Sequence, residues 1–108
     1  MARSVGIFRD DATVDAIVEQ LQMNGIEQIT VISAQTMPTK GRDDPQEAAQ
    51  YLRGLGVPAE LIDEYRERLQ HDLRLVMVQS SATELPTVQR AMRSAQAVDI
   101  DLLPESSG

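Results

Sequence analysis

Apolar residues follow one another most closely in residues 73–78, where Arg74 is the sole polar side chain. A strand with one face in water alternates apolar and polar residues, whereas a strand that is apolar at nearly every position is covered on both faces. We therefore predict that residues 73–78 form a central strand of a sheet. Alternate side chains belong to opposite faces, so Leu75 and Met77 should lie on one face and Val76 and Val78 on the other.

Shorter apolar runs and helical spacings predict the elements around this strand. The runs at residues 4–8 and 29–32 are short and rich in β-branched residues, which indicates strands. Apolar residues spaced three and four apart predict a helix over residues 12–24, with an aspartate before its first turn and Gly25 after its end. The same spacing predicts a helix over residues 83–95.

Two features near the C-terminus carry specific expectations. Pro86 is tolerated only in the first turn of a helix, which favours Thr83 as the N-cap. Residues 97–103 alternate cleanly between apolar and polar, which predicts an edge strand with one face in water. The expected inward set is Val98, Ile100 and Leu102, and the expected outward set is Asp99 and Asp101.

Residues 46–70 contain two helical patterns that stand apart from the strands. The first spans residues 46–54, and the second begins at Pro58, whose fixed φ suits the first helical position. The prolines, glycine and aspartates of residues 33–45 predict a mobile loop before this pair, and residues 104–108 are expected to form a flexible tail. The chain is interpreted as a single domain over residues 1–103.

A faint internal repeat supports a specific fold class. Ala12 and Thr13 recur as Ala82 and Thr83, seventy positions later, and each pair follows a predicted strand and opens a predicted helix. Each half is thus strand, helix, strand. Two such units form the α+β, ferredoxin-like βαβ–βαβ fold, with a four-stranded antiparallel sheet. The helix pair of residues 46–70 is then an insertion between strands 2 and 3.

The two long helices cover only one face of such a sheet, so the other face needs a second cover. Burial of a valine or isoleucine side chain contributes about 1.5–3 kcal/mol, and an open face would forfeit several such contributions. Either the inserted helix pair or another subunit must supply the cover. We therefore predict a homo-oligomer (a dimer) or a protein partner, with candidate interface residues Phe8, Ile32, Tyr65, Val76 and Val78.

Composition and charge exclude several classes of function. The chain has 108 residues and a formal net charge of −7, and its ten basic residues are dispersed. Nucleic-acid-binding proteins show a basic face with stacking aromatic side chains, and anionic lipid repels an acidic protein. The absence of cysteine removes thiol chemistry and fits a cytoplasmic location. There is no apolar run near the ~20 residues of a membrane helix, and no signal peptide is expected.

The two predicted strand-to-helix turns hold the main candidates for ligand binding. Asp10 and Asp11, with Asp15, have oxygen ligands for a divalent cation, and hydroxyls at residues 80–83 suit a small anion held by backbone N–H groups. Helix capping explains the same residues, and it is the interpretation we favour. The candidate ligand residues are Asp10, Asp11, Thr13, Ser80, Ser81 and Thr83.

Other polar residues are interpreted structurally. His71 is the one histidine of the sequence and is expected to lie at the end of a helix, where a cation suits the dipole. Gly54 and Gly56 form a G-x-G that lacks the strand of a phosphate loop, so we interpret it as a helix break. Asp99 and Asp101 have the spacing of an acid–base pair, but a charged edge that resists aggregation explains them better. No catalytic, cofactor-binding or metal-binding residue is assigned.

The run Leu55-Gly56-Val57-Pro58, the later Tyr65, and Leu75-Val76-Met77-Val78 together resemble the core motif of the general-stress-protein (YflT-like) domain family, also called heat- or low-temperature-induced proteins. The opening strand and its acidic turn resemble the family as well. The chain departs from the family at His71-Asp72, where members usually have glycines. The resemblance implies a small, stress-associated intracellular domain with no established catalytic residues.

Two function hypotheses follow, and an enzyme is disfavoured because the usual nucleophile–base and metal-ligand sets are missing. The first is a non-enzymatic stress-response domain that acts by self-association or by binding a protein partner. The alternative is a regulatory module that senses a small ligand or an anion at the strand-to-helix turns, which is an analogy drawn from the fold.

Overall fold

The central strand, β3 (Arg74–Ser80), is paired on both sides in the computed structural model, which describes residues 2–35 and 45–103. It runs antiparallel to β1 (Ala2–Phe8) on one side and to β2 (Ile29–Ile32) on the other. β4 (Asp99–Leu103) pairs antiparallel with the far side of β1, so the strand order is β2-β3-β1-β4. The prediction of a central strand is confirmed.

Within the described ranges, four helices connect these strands. α1 (Asp11–Met23) joins β1 to β2, and α4 (Leu85–Ser94) joins β3 to β4. α2 (Pro45–Gly54) and α3 (Ala59–Gln70) both stand between β2 and β3. This order and this sheet are those of the ferredoxin-like α+β fold with an inserted helix pair, so the predicted fold class is confirmed.

Helices α1 and α4 pack on one face of the sheet because each presents an apolar stripe at helical spacing. The sheet contributes the side chains of alternate strand residues to the same buried cluster. Its buried members are Phe8, Val14, Ile17, Leu21, Ile26, Val76, Val78, Val88, Ala91 and Met92.

Helices α2 and α3 cover the opposite face, so the second cover comes from the same chain. The buried cluster on this face includes the other set of strand residues, as the alternation predicts. No second subunit is required to shelter the sheet. The buried members are Val5, Ile7, Ile32, Ala48, Leu52, Val57, Ile62, Tyr65, Leu69, Leu75, Met77 and Leu103.

The structure corrects several predicted limits. The helix predicted from residue 46 begins one residue earlier, at Pro45, and Pro58 is the N-cap of α3 and not its first helical residue. α4 begins at Leu85, after a turn, and its start is held by Ser81, not by Thr83. The predicted mobile loop falls largely on residues 36–44 and the predicted tail on residues 104–108, and both lie outside the described residues.

The prediction for β4 was wrong in one respect. Leu102 is 56% exposed and Val98 is 39% exposed, although both were expected to face the core. Asp101, expected in water, is half-buried and accepts a hydrogen bond from a buried side chain. The alternation itself is correct, but α1 and α4 leave Val98 and Leu102 open to solvent, whereas α3 reaches the acidic face of β4.

The described helices end in the same C-terminal motif. The residue after each C-cap has a positive φ, and the next residue donates its N–H to the carbonyl five positions earlier. Asp72 takes this position after α3 with φ 64°, a conformation that glycine adopts more readily than other residues. The residues with positive φ are Gly25, Gly56, Asp72 and Gln96.

These motifs also correct the internal repeat. Thr13 donates its N–H to the side chain of Asp10 at the start of α1, and Glu84 donates its N–H to the side chain of Ser81 before α4. Asp10 and Ser81 are seventy-one positions apart, and so are the positive-φ residues that follow the two helices. The structural repeat is therefore shifted by one residue from the repeated letters in the sequence.

Gln96 offers a test of this helix-ending motif. Because Gln96 is exposed and has a φ of 65°, Gln96→Gly should raise the free energy of unfolding by about 0.5–1 kcal/mol, measured by urea denaturation. Ala95 has an ordinary φ of −84°, so Ala95→Gly should lower it by about the same amount. If both variants changed the free energy of unfolding in the same direction, the positive φ assigned to Gln96 would be contradicted.

Candidate functional site

The first strand-to-helix turn is a helix cap with an ion pair beside it. Asp10 accepts the N–H of Thr13 at 2.9 Å and this bond, with the Thr13 hydroxyl, lowers the pKa of Asp10 below its usual 3.8. The guanidinium of Arg74 lies 2.9 Å from the carboxylate of Asp11. Both carboxylates are thus engaged by groups of the chain itself, which supports the capping interpretation.

The second turn is a capping box. Ser81 donates its N–H to the Glu84 carboxylate, and Glu84 donates its N–H to the Ser81 hydroxyl, each at 3.1 Å. Thr83 is exposed, whereas Ser80 is only 2% exposed and lies on β3. The box uses the N–H groups of Ser81 and Glu84, which supports the capping interpretation of this turn.

The two turns do not form one site. β1 and β3 are antiparallel, with Ala2 opposite Ser80 and Phe8 opposite Arg74. The turn after β1 and the turn after β3 therefore lie at opposite ends of the sheet. The structure brings Asp10, Asp11 and Thr13 together at one end and separates them from Ser81 and Thr83 at the other.

The five candidate interface residues are core residues of the single chain. Each is 0% exposed and belongs to one of the two buried clusters. The sequence argument found their burial correctly, but it left open which partner covers them, and the chain's own helices do so. A protein interface must use other residues than Phe8, Ile32, Tyr65, Val76 and Val78.

β4 is one of the two edge strands of the sheet, and β2 is the other. Among residues 2–35 and 45–103, β4 pairs only with β1, and the N–H of Ile100 donates a hydrogen bond to the Asp99 carboxylate at 2.9 Å. On the α1/α4 side of β4, the side chains of Val98, Ile100 and Leu102 form what we call the apolar strip, with Val98 and Leu102 exposed and Ile100 half-buried. An apolar strip beside a free strand edge is a feature of binding surfaces.

The other side of β4 carries the acidic face, which we define as Asp99 and Asp101. The hydroxyl of Tyr65 donates a hydrogen bond to Asp101 at 2.8 Å. Arg68 lies 3.7 Å from Asp99 and 3.8 Å from Glu64, so two carboxylates share one guanidinium. These contacts fasten β4 to α3 and fix where its charges point.

Burial and the Asp101 carboxylate hold the pKa of Tyr65 far above its usual 10.0. Because the pKa of Tyr65 is higher in the folded than in the unfolded state, Tyr65 contributes its full stability below about pH 10. That contribution declines as the pH rises above about 10 towards the folded pKa. We expect Tyr65→Phe to lower the free energy of unfolding by about 1 kcal/mol near neutral pH and to flatten its decline above about pH 10.

Urea denaturation across this pH range measures both effects. Tyr51 lies on α2 and donates no hydrogen bond to a carboxylate of residues 2–35 and 45–103. Tyr51→Phe therefore serves as the control for loss of a tyrosine hydroxyl. A decline above about pH 10 that Tyr65→Phe leaves unchanged would assign the alkaline sensitivity to other groups.

A shallow groove of ≈ 250 Å³ lies near the start of β2, on the side of α2. Its lining is mixed, and Glu27 is the charged residue among the lining side chains. The described ranges contain no group of histidine and carboxylate side chains suited to hold a metal ion. The lining residues are Glu27, Gln28, Ile29, Thr30, Leu55, Met77 and Gln79.

Two buried hydroxyls have no hydrogen-bond partner among the described residues, those of Ser4 and Ser80. Both lie on the α1/α4 face of neighbouring strands, because Ser4 is opposite Val78 and Ser80 is opposite Ala2. Ser80 was a candidate for an anion-binding turn. Its side chain is instead enclosed in the sheet, so the structure removes it from that turn.

Sequence reasoning placed β4 at an edge but did not identify it as a site. The signal was present in the clean alternation of residues 97–103, which gives an apolar and an acidic side to one strand. What the sequence lacked was the position of the helices, and hence the exposure of Leu102. His71 is the C-cap of α3 and is exposed, and Gly56 has a φ of 93° at the break between α2 and α3, as both interpretations expected.

No protein-family model matches the chain, and no curated protein matches it. The likeness to the general-stress-protein domain family therefore rests on the motifs around Gly56, Tyr65 and Val76. None of the helices in residues 2–35 and 45–103 is long and apolar enough to cross a membrane.

Proposed function

We propose that this protein is a non-enzymatic domain that binds another protein chain along the outer edge of β4. The observation that carries the proposal is that β4 is an edge strand whose Leu102 is 56% exposed, whereas β2, the other edge strand, has no exposed large apolar side chain. Strand addition at a free edge combines backbone hydrogen bonds with contacts to alternate side chains. The apolar strip supplies those side-chain contacts on β4.

The energetics suit reversible binding. Covering the exposed part of Leu102 and Val98 contributes up to about 1.5–3 kcal/mol for each side chain, and each backbone hydrogen bond about 0.5–1.5 kcal/mol. A surface of this size belongs with small, transient interfaces of less than about 1,200 Å². Such an interface suits a regulatory or stress-response role better than a permanent assembly.

The role in stress response and the cytoplasmic location come from the resemblance and from the cysteine-free sequence, and both are part of the proposal. The alternative, ligand or anion sensing at the strand-to-helix turns, receives less support. The turns lie at opposite ends of the sheet, and the cap bonds of Asp10 and Ser81 already engage their polar groups.

A peptide selection tests the proposal with the whole chain. Because the sequence has no cysteine, Leu102→Cys and Asp15→Cys each give a unique site for a bimane fluorophore, the first on β4 and the second on the exposed side of α1. Peptides selected from a random displayed library against the wild-type chain should change bimane emission at position 102 and not at position 15. Their binding should weaken at least about tenfold in Leu102→Asp.

Because Leu102 is exposed, Leu102→Asp should retain the wild-type circular dichroism spectrum. Its free energy of unfolding should differ from that of wild type by less than about 0.5 kcal/mol. Selected peptides that bind Leu102→Asp and wild type equally, with no change at position 102, would overturn the assignment of β4. A wild-type dimer in sedimentation velocity that Leu102→Asp dissociates would support the proposal in its self-association form.

A further inference from the structure

We propose that the chain that binds β4 is an extended segment with alternating apolar and basic residues, and not a second copy of this protein. This inference rests on the proposed function, since it names the class of partner for the same edge. It follows from the two chemically different sides of β4 and from the charges that α3 places beside one of them.

A strand added next to β4 places its side chains on both sides of the sheet in alternation. Residues of the added strand that lie opposite Ile100 and Leu102 meet the apolar strip. Residues that lie opposite Asp99 and Asp101 meet the acidic face. Directly opposed side chains have Cβ atoms about 4.5–5.5 Å apart, so each partner residue contacts one side or the other.

The acidic face has an excess of negative charge. Arg68 lies 3.7 Å from Asp99 and 3.8 Å from Glu64, and Asp101 accepts the hydrogen bond of Tyr65. Arg3 of β1 is on the same side of the sheet and donates a hydrogen bond to the Gly56 carbonyl at 2.9 Å, so three carboxylates stand against two guanidinium groups.

Asp99 keeps 48% of its side chain exposed and Glu64 keeps 42%. A lysine or arginine opposite Asp99 therefore meets a half-exposed carboxylate, which accepts the N–H of Ile100 at 2.9 Å and lies 3.7 Å from Arg68. Each cross-strand pair of opposite charges contributes about 0.2–1 kcal/mol, and a like-charge pair costs a similar amount. Over two positions this difference decides which strands bind, while the apolar strip and the backbone supply most of the affinity.

A second copy fits this edge poorly. In a symmetric antiparallel pair that uses all of β4, Asp101 lies opposite Asp101 of the other copy, because equivalent residues pair about the two-fold axis. A shift that brings Ile100 opposite its own equivalent places Asp99 opposite Asp101, and a shift that brings Leu102 opposite its own equivalent avoids opposed aspartates but pairs only residues 101–103 of β4. Each copy also carries a net charge of −7, which adds to the repulsion.

Three synthetic peptides, each carrying a fluorophore at one end, test the inference with the full wild-type chain, and binding is followed by the fluorescence anisotropy of the peptide. The first alternates valine and lysine, the second alternates valine and glutamate, and the third has the composition of the first with its valines and lysines in separate blocks. The alternating valine–lysine peptide should bind at least about tenfold more tightly than either of the others. The block peptide separates strand pairing from simple attraction between a basic peptide and an acidic protein.

Amide hydrogen exchange provides the structural readout. Binding of the alternating valine–lysine peptide should slow exchange in residues 99–103 and leave α1 unchanged, because added hydrogen bonds protect the edge strand. Raising the salt concentration should lower the affinity of the valine–lysine peptide and reduce the difference between its affinity and that of the valine–glutamate peptide.

A charge reversal on the acidic face should exchange the preference. The Asp99→Lys variant should bind the valine–glutamate peptide more tightly than the valine–lysine peptide. The control, Asp15→Lys, makes the same change of net charge on the exposed side of α1 and should still bind the valine–lysine peptide more tightly, as wild type does. Asp101 is left unchanged because its carboxylate accepts the hydrogen bond of buried Tyr65.

The outcomes separate this inference from the proposed function. Library peptides that depend on Leu102 but carry acidic or neutral residues would overturn the basic-partner inference and leave binding at β4 intact. Equal binding of the block and alternating peptides would also overturn it, as would a wild-type dimer that Leu102→Asp dissociates. If no peptide, synthetic or selected, bound wild type more tightly than Leu102→Asp, both the inference and the proposed function would be overturned.

Discussion

Replacing Leu52 with alanine should lower the free energy of unfolding by about 2–5 kcal/mol. Leu52 lies on α2, is 0% exposed and belongs to the cluster between the inserted helix pair and the sheet. If α2 and α3 are an integral layer of the fold, the cavity left by this truncation destabilises the whole chain. Urea denaturation followed by far-ultraviolet circular dichroism measures the change.

The tyrosines provide a second probe of the same transition, because the sequence has no tryptophan and both tyrosines lie on the inserted pair. Their fluorescence should change at the same urea concentration as the circular dichroism, in wild type and in Leu52→Ala. Leu102→Ala, the same truncation at a side chain 56% exposed, should cost less than about 0.5 kcal/mol. Two separate transitions, or equal effects of the two truncations, would show that the pair is a peripheral addition.

Replacing Gly6 with alanine should lower the free energy of unfolding by about 1–3 kcal/mol. Gly6 lies on β1, and a Cβ there would be 2.7 Å from the ring of Phe8 and 3.0 Å from the sulfur of Met92. Phe8 and Met92 are both 0% exposed, so neither side chain can move into solvent. The strand backbone and α4 must therefore separate slightly, and contacts on the α1/α4 face are lost.

A double-mutant cycle tests this cause. Phe8→Leu removes the outer ring atoms, so Gly6→Ala should cost less in that background than in the wild-type chain, with a coupling of at least about 0.5 kcal/mol. Gly54→Ala is the matched control, because a Cβ at Gly54 has no neighbour within 4 Å and alanine favours the helix. Strict additivity in the cycle would mean that the cost of Gly6→Ala comes from the backbone and not from the ring.

The fold followed from the sequence to the extent that periodicity specifies an element and its faces. The central strand, the division of Val76 and Val78 from Leu75 and Met77, and the order of the elements were all predicted correctly. These features depend on alternation along one segment, and a one-residue shift would move an entire apolar set to the wrong face. These features can therefore be predicted from the residues of each segment alone.

The errors share a physical origin in distances between segments. The start of α4 was misplaced because the Ser81–Glu84 capping box holds a turn before the helix, and either Ser81 or Thr83 is an acceptable cap in sequence. The apolar strip on β4 was expected inside because alternation identifies two sides but not which side a helix reaches. The interface candidates, such as Val78, were buried as expected, yet by the chain's own helices.

The sequence by itself determined a doubly apolar sheet, its flanking helices and the absence of thiol chemistry, because each depends on residue type and spacing alone. The packed structure was needed to show that α2 and α3 cover the second face, that the two capped turns lie at opposite ends, and that Leu102 of β4 is exposed. Those outcomes depend on the antiparallel register and on how far each helix extends across the sheet. Neither feature can be predicted from the periodicity of a single segment.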